Sequence, residues 1–221
     1  MPAVSAPATV LLTGANGFIA TQVVKSYIDA GFTVIGTVRR AAGGDYLKTL
    51  FPQRFSYVIL DDIQAPGALD ELARQVDVIA HTASPVAQLE GDYDPELLIR
   101  PAVEGTRNVL ASAAVSGSKV QRVVITGSIA SLIEPHDGYY EYTDKDWNEY
   151  AVKEVERLGN KASHSLKYLA SKTLAERSSQ EFIAQHNPRY DVVTVLPAFV
   201  YGPSIDDVSG DHSRRYRKNP D

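Results

Sequence analysis

The feature that most restricts how this chain can fold is an alternation. Short runs rich in Val, Ile and Leu recur at residues 9–13, 33–38, 55–59, 77–81, 122–126 and 191–196, with amphipathic helical stretches between several of them. Strand, helix, strand in that rhythm is the pattern of βαβ units, which build a parallel sheet with helices on both faces. Runs that are nearly unbroken in apolar residues suit strands covered on both sides. At 221 residues the chain is long enough for one domain that buries about 70% of its unfolded surface. A hydrophobic fraction of 44% and a charged fraction of 22% exclude disorder, collagen and coiled coil. The absence of Cys excludes a disulfide scaffold.

Charge narrows the partners. Lys plus Arg number 22 against 27 Asp plus Glu, a net charge of -5, which offers no footprint for nucleic acid or an anionic membrane. No apolar run approaches the length of a membrane span, and the first residues have neither a basic n-region nor an apolar h-region. The expectation is a cytoplasmic protein with a small-molecule partner.

Helical spacing is clearest in Phe18, Ile19, Val23, Val24, Tyr27 and Ile28, with Gly31 as the stop. Residues 95–116 predict a second helix, with Asp94 as N-cap, Pro95 at its first position and a kink at Pro101. A third covers about 162–185. The apolar faces around Pro101 and Tyr168 suit either core packing or the joining of two chains in a homodimer. Residues 134–160, with Tyr139, Tyr140, Tyr142, Trp147 and Tyr150 among charges, read as a loop whose aromatics pack it down rather than cover a pocket. In 204–221 only Ile205 and Val208 are aliphatic, while Arg214, Arg215, Arg217 and Lys218 face Asp206, Asp207, Asp211 and Asp221. That stretch reads as a disordered tail to a dinucleotide-binding domain over 1–203.

The first strand runs into Thr13-Gly14-Ala15-Asn16-Gly17-Phe18-Ile19-Ala20, a Gly-x-x-Gly-x-x-Ala series opening a helix. Gly14 allows the tight turn, Gly17 lets backbone approach a pyrophosphate, and Ala20 keeps helix close to strand. The N–H groups at the helix start then face the anion. Position between strand and helix is what gives this pattern its weight. The end of the second strand selects the dinucleotide. An acid there would hold a ribose 2′-hydroxyl and a cation a 2′-phosphate; the chain has Val38-Arg39-Arg40, with no acid before Asp45. A guanidinium fork matches phosphate geometry, so the expectation is NADP(H). Asp62 and Ile63 follow the third strand, where the adenine edge is in reach. Thr82, Ala83 and Ser84 follow the fourth, beside the nicotinamide ribose, and His81 reads as packed against the sheet.

Tyr168 and Lys172 are four residues apart on the third helix and share a face. Reducing a carbonyl requires an acid for the developing alkoxide, and a phenol alone, at a pKa near ~10, is too weak near neutrality. A neighbouring ammonium favours the phenolate and corrects this. Ser128, just past the fifth strand, would hold the substrate oxygen; Ser131 competes for that role but is further from the strand end.

Taken in order, these motifs resemble the extended short-chain dehydrogenase/reductases, over about residues 8 to 203. The glycine series, His81-Thr82-Ala83-Ser84-Pro85, Thr126-Gly127-Ser128, Tyr168-Leu169-Ala170-Ser171-Lys172 and Pro197-Ala198-Phe199-Val200-Tyr201-Gly202-Pro203 carry the resemblance. Within the family the chain is most similar to the dihydroflavonol reductase group, especially fungal ketoreductases and methylglyoxal reductases. That similarity lies in the His-Thr-Ala-Ser-Pro run and Leu98-Ile99-Arg100-Pro101-Ala102-Val103-Glu104-Gly105-Thr106. The resemblance implies a Rossmann-type doubly wound α/β fold and NADPH-dependent reduction of an aldehyde or ketone by a Ser128, Tyr168 and Lys172 triad. The cofactor would lie against Gly14, Asn16, Gly17, Phe18, Ile19, Arg39, Asp62, Ile63, Thr82, Ala83, Ser84, Tyr168, Lys172, Pro197 and Val200, with Pro197 to Val200 bordering the nicotinamide. No metal is implied.

Two departures qualify that picture. Sugar-nucleotide dehydratases of this fold carry an acidic pair beside the catalytic Thr or Ser, whereas Gly127, Ser128 and Ile129 supply none. Family members also continue beyond Tyr201-Gly202-Pro203 to build a substrate lobe, so that lobe is expected to be truncated here. A catalytically weak dinucleotide-binding module is the alternative this leaves. An NAD-dependent nucleotide-sugar epimerase is another, with Arg39 and Arg40 counting against it.

Overall fold

The computed structural model describes residues 4–84 and 91–205. Six parallel strands form one sheet: β1 (Thr9–Thr13), β2 (Thr33–Val38), β3 (Phe55–Ile59), β4 (Val78–His81), β5 (Arg122–Thr126) and β6 (Asp191–Val195). Their spatial order is β3-β2-β1-β4-β5-β6, with every neighbouring pair parallel. This is the doubly wound Rossmann order, whose chain reverses direction across the sheet between β1 and β4 and opens a crevice there. The expected β4 and β6 each run one residue longer than the observed strands.

Alternation within β1 explains why the sheet is covered twice. Leu11 points into a core with Ile79, Val123, Leu69, Val109 and Leu110. Its neighbours Val10 and Leu12 point the other way, onto Ala20, Val24, Leu47 and Phe55. Successive strand residues face opposite sides, so an apolar residue at each position needs a helix layer on each side. One layer is α1 (Phe18–Asp29) with α2 (Ala41–Leu50); the other contains α3 (Asp70–Ala73), α4 (Glu96–Ala114) and α6 (His164–His186). Each fully buried Leu contributes roughly 1.5–3 kcal/mol.

The helix starts follow their caps. Asp94 Oδ1 accepts the Glu96 N–H at 2.9 Å; Pro95 occupies the cap position, one place before its expected one, and the helix continues through Pro101. Ser163 caps α6 by accepting the Leu166 N–H at 3.2 Å.

One region differs from expectation. Residues 149–158, expected to be loop, form α5 (Glu149–Leu158), capped by Asn148. Its Ala151, Val152 and Val155 recur at helical spacing and pack with Ile99 of α4 and Ala170 of α6, backed by Val103, Leu166, Leu169 and Leu174. Part of the apolar faces around Pro101 and Tyr168 is therefore packed against α5 of the same chain, while Leu97 on α4 stays 54% exposed. The preceding loop does pack on itself, with His136 stacked on Tyr140 at 3.7 Å between centroids and Tyr142 edge-on to Tyr140. Of the expected charged tail, 206–221 lies outside the described residues; Ile205 O accepts the Tyr46 hydroxyl at 3.3 Å.

Candidate active site

All six strands point the same way, so the residues that follow them gather along one edge of the sheet. Gly14 turns there with φ +68, and a Cβ on it would stand 3.1 Å from Ala83 Cβ and 3.2 Å from Ala83 Cα. Both the conformation and the space exclude a side chain. The loop is tied to β2 by Gly14 N–H on Thr37 Oγ1 and Ala15 N–H on Thr37 O, at 3.0 and 2.9 Å. Gly17 is exposed and begins α1 with no side-chain cap and no acid in the first turn. Asn16, Phe18 and Ile19 flank it, half-buried. A helix start of that kind is a ready anion site.

Arg39 and Arg40 are exposed at the end of β2, where α2 begins. Gly43 in the first turn of α2 lies against the phosphate loop, for a Cβ there would meet Asn16 Nδ2 at 2.6 Å. Arg39, Arg40 and the start of α2 thus follow β2 on the side of the loop, with no acid before Asp45. These residues fit a dinucleotide carrying an extra phosphate. Asp62 is exposed, one of its oxygens accepting the Gln64 N–H at 2.8 Å. Ile63 packs on α4, 3.3 Å from where a Cβ of Gly105 would stand, and Asn108 Nδ2 donates to Ile63 O at 3.1 Å.

The floor of the crevice is a hydrogen-bonded node at Thr13. Its Oγ1 accepts the N–H groups of Thr82 and Ala83, both at 3.1 Å. Its own hydrogen is left for His81 Nδ1 at 2.8 Å, which assigns the Nε2–H tautomer to His81. His81 is buried, and burial together with the Lys172 charge pushes its pKa down to about 4. It is a neutral structural histidine, packed against the sheet as expected.

On the other side of the crevice stand Ser128, Tyr168 and Lys172. Ser128 is buried at the start of a 3-10 turn (Ile129–Ser131), its Oγ accepting the Ala130 N–H at 3.2 Å. Lys172 is buried on α6, and its Nζ donates to Ser84 Oγ at 2.7 Å and lies 5.6 Å from the Tyr168 ring centroid. Burial lowers the Lys172 pKa to about 8. Tyr168 is half-buried beside it. Ser131 is fully buried, with its hydroxyl on Ser128 O at 2.8 Å and on Glu176 Oε2 at 2.5 Å, so it is a clamp rather than a free hydroxyl. Pro197 O accepts the Ile129 N–H at 3.1 Å, drawing the segment after β6 beside the serine turn. Val200 is exposed further along, and Pro203 O accepts Gln22 Nε2 on α1 at 2.8 Å. Pro85 lies outside the described residues.

Ser84, expected beside the nicotinamide ribose, is the hydroxyl partner of Lys172. Two contributors escape the motifs. Asn148, buried, donates Nδ2 to Ala130 O and Ile133 O at 3.2 and 2.6 Å while Oδ1 accepts the Ala151 N–H, stitching the serine turn to α5. Glu176 holds Ser131. Its position one turn beyond Lys172 is visible in the sequence, and the Asn148 cap before an apolar helical pattern is too.

Among the described residues no helix is long and apolar enough to cross a membrane, and no group of three or more His, Asp or Glu could hold a metal ion.

Known proteins are similar to this chain in sequence and fold. Ketoreductase azaE of Aspergillus niger is 36% identical over 206 residues, 88% of this chain and 57% of that protein. Aldehyde reductase 2 of Sporidiobolus salmonicolor is 34% identical over 206 residues, 89% of this chain and 59% of that protein. The crystal structure of Gre2 from Candida albicans in complex with NADPH matches with a TM-score of 0.80 at 36% identity, over 90% of this chain and 60% of that one. The chain thus spans 57% to 60% of the length of these relatives. The model of the NAD dependent epimerase/dehydratase family matches residues 10–218, from the first strand through all six, and the chain belongs to that family.

Proposed function

We propose that this chain carries the cofactor-binding half and the acid–base group of an NADPH-dependent reductase that converts an aldehyde or ketone to an alcohol. The observation that carries the reading is the buried Lys172 ammonium beside Tyr168, on the helix clamped through Glu176 and Ser131 to the turn bearing Ser128. NADPH would supply a hydride to the carbonyl carbon. Gly14, Gly17 and the start of α1 would bind its pyrophosphate, and Arg39 its 2′-phosphate. Ser128 Oγ would hydrogen-bond the carbonyl oxygen. Tyr168 would give its phenolic proton to that oxygen as charge develops, and the Lys172 ammonium would stabilise the phenolate left behind. The printed names of the relatives, a ketoreductase and an aldehyde reductase, and the NADPH complex of Gre2 support the same class of reaction.

NADPH absorbance followed with a panel of aldehydes and ketones tests this. Turnover is expected, and Tyr168→Phe should reduce it roughly 10²- to 10⁴-fold while NADPH affinity stays within a few-fold. Near-normal turnover in that variant would remove Tyr168 from its role.

A second reading is a dinucleotide-binding module without turnover. It is favoured by the side of the site beyond β6, where Val195, Phe199 and Tyr201 are 51%, 82% and 85% exposed, so the described residues build no dry wall there. NADPH binding with no oxidation across the whole carbonyl panel would establish it. A cytoplasmic location and pairing of two chains belong to the same proposal, and are tested by imaging a tagged chain and by sedimentation.

A further inference from the structure

Among the described residues the largest fully buried side chain belongs to Lys167, which the reaction as described does not use. Its Nζ donates to Asn160 O at 2.8 Å and stands 3.7 Å from the centre of the Tyr93 ring. No carboxylate among the described residues pairs with it. Tyr93 is gripped a second time, its hydroxyl lying 2.6 Å from His164 Nδ1. His164 and Lys167 are three residues apart on α6 and share a face, so one holds the ring by its hydroxyl and the other by its π surface. The ends of three helices meet at this cluster. Tyr93 lies just ahead of the Pro95 cap of α4, Asn160 belongs to the 3-10 turn (Gly159–Lys161) that follows α5, and His164 begins α6. At its start α6 has little else to anchor it. His164 and Ser165 are exposed and Leu166 is half-buried, so Lys167 is the first buried side chain of the helix, and the next residue is Tyr168.

We propose that Lys167 is a positioning residue for Tyr168. Held between the Tyr93 ring and Asn160 O, it fixes the rotation of the first turn of α6, and with it the direction in which the Tyr168 side chain leaves the helix. This rests on the reading of Tyr168 as the acid, since only then does its direction matter to a reaction. The physical reason lies in what a buried charge demands. A hydrocarbon chain fills the same space at no desolvation cost and tolerates small slips, whereas a buried ammonium must keep both its carbonyl and its ring face. What the charge adds at this position is a fixed geometry, and the Tyr93–His164 contact returns that geometry to the same turn of α6.

The test reads Tyr168 directly and requires neither cofactor nor turnover, so its failure is separate from failure of the reductase reading. The full chain, labelled with ¹³C in its tyrosine rings, is observed by NMR, with the Tyr168 signal identified by its loss in Tyr168→Phe. Lys167→Met keeps the length of the side chain and removes the charge; Tyr93→Leu keeps the charge and removes the ring face. Each should displace the Tyr168 signal, and the double variant should displace it no further than the larger single change, because the two residues form one contact. The urea midpoint of Lys167→Met should not fall below that of the parent, since an apolar chain replaces a buried charge. Where turnover is measurable, kcat should drop roughly 10- to 100-fold in Lys167→Met while the KM for the carbonyl and the NADPH affinity stay within a few-fold. An unmoved Tyr168 signal in either single variant overturns the proposal, as does an unchanged kcat. So does a lower urea midpoint in Lys167→Met, which would make the lysine a support of the whole fold rather than of Tyr168.

Discussion

β1 and β6 are made of the same kinds of residue, and their fates differ. Leu11 in β1 is fully buried, whereas in β6 Val195 is 51% exposed. β1 lies between β2 and β4 with helix layers on both sides; β6 is the outermost strand on its side of the sheet. Place in the sheet, and not apolar character, decides how much a residue contributes. The same division runs through the site. Gly14, Gly17 and Arg39 stand on the β1–β3 half, over a closed core. Ser128, Tyr168 and Lys172 stand on the half that ends in an open edge. Under the proposed function, the pyrophosphate and 2′-phosphate contacts would fall on the first half and the acid–base group on the second.

The stability contrast gives the largest expected effect. Leu11→Ala should destabilise the fold by about 3–5 kcal/mol, and Val195→Ala by less than about 1 kcal/mol, measured by urea denaturation. Comparable losses at both positions would mean that something covers the edge in solution. Next is acid. His81 in the folded chain gains a proton only near its depressed pKa of about 4, against 6.5 in the unfolded chain. Between those values the unfolded state binds more protons, so stability is full above pH 6.5 and falls as pH drops toward 4, by about 3 kcal/mol. Denaturation of His81→Asn across that window should show a slope smaller by one proton; an unchanged slope would mean that His81 is not the group lost. The smallest effect concerns the closed half. Arg39→Glu should weaken NADPH roughly 10- to 100-fold and NADH far less, by fluorescence titration. Equal losses for both nucleotides would break the assignment of Arg39 to the 2′-phosphate.

Much of this was legible in the residues. β-branched runs bounded by turns located every strand to within a residue, because a strand buried on both faces leaves a continuous apolar signature. α2 was hidden by Gly43 and Gly44, each of which costs a helix about 1 kcal/mol. They are there because of partners elsewhere: a Cβ at Gly44 would stand 2.4 Å from the Tyr57 ring. α5 was hidden differently, since Lys153, Glu154, Glu156 and Arg157 mask the spacing of Ala151, Val152 and Val155. A half-buried helix on a surface reads as a charged loop until its cap at Asn148 is noticed.

Local order alone determined the strands, the glycine turn, the basic end of β2 and the Tyr168–Lys172 face, since each depends on residues within one or two turns of each other. Only the tertiary structure decided that Lys172 meets Ser84, 88 residues away, that burial and the Lys172 charge keep His81 neutral beside Thr13 of the neighbouring strand, and that Ser131 is spent on Glu176. Those contacts arise where chain ends of different strands converge, and convergence is set by the packing of the whole sheet rather than by any stretch of sequence within it.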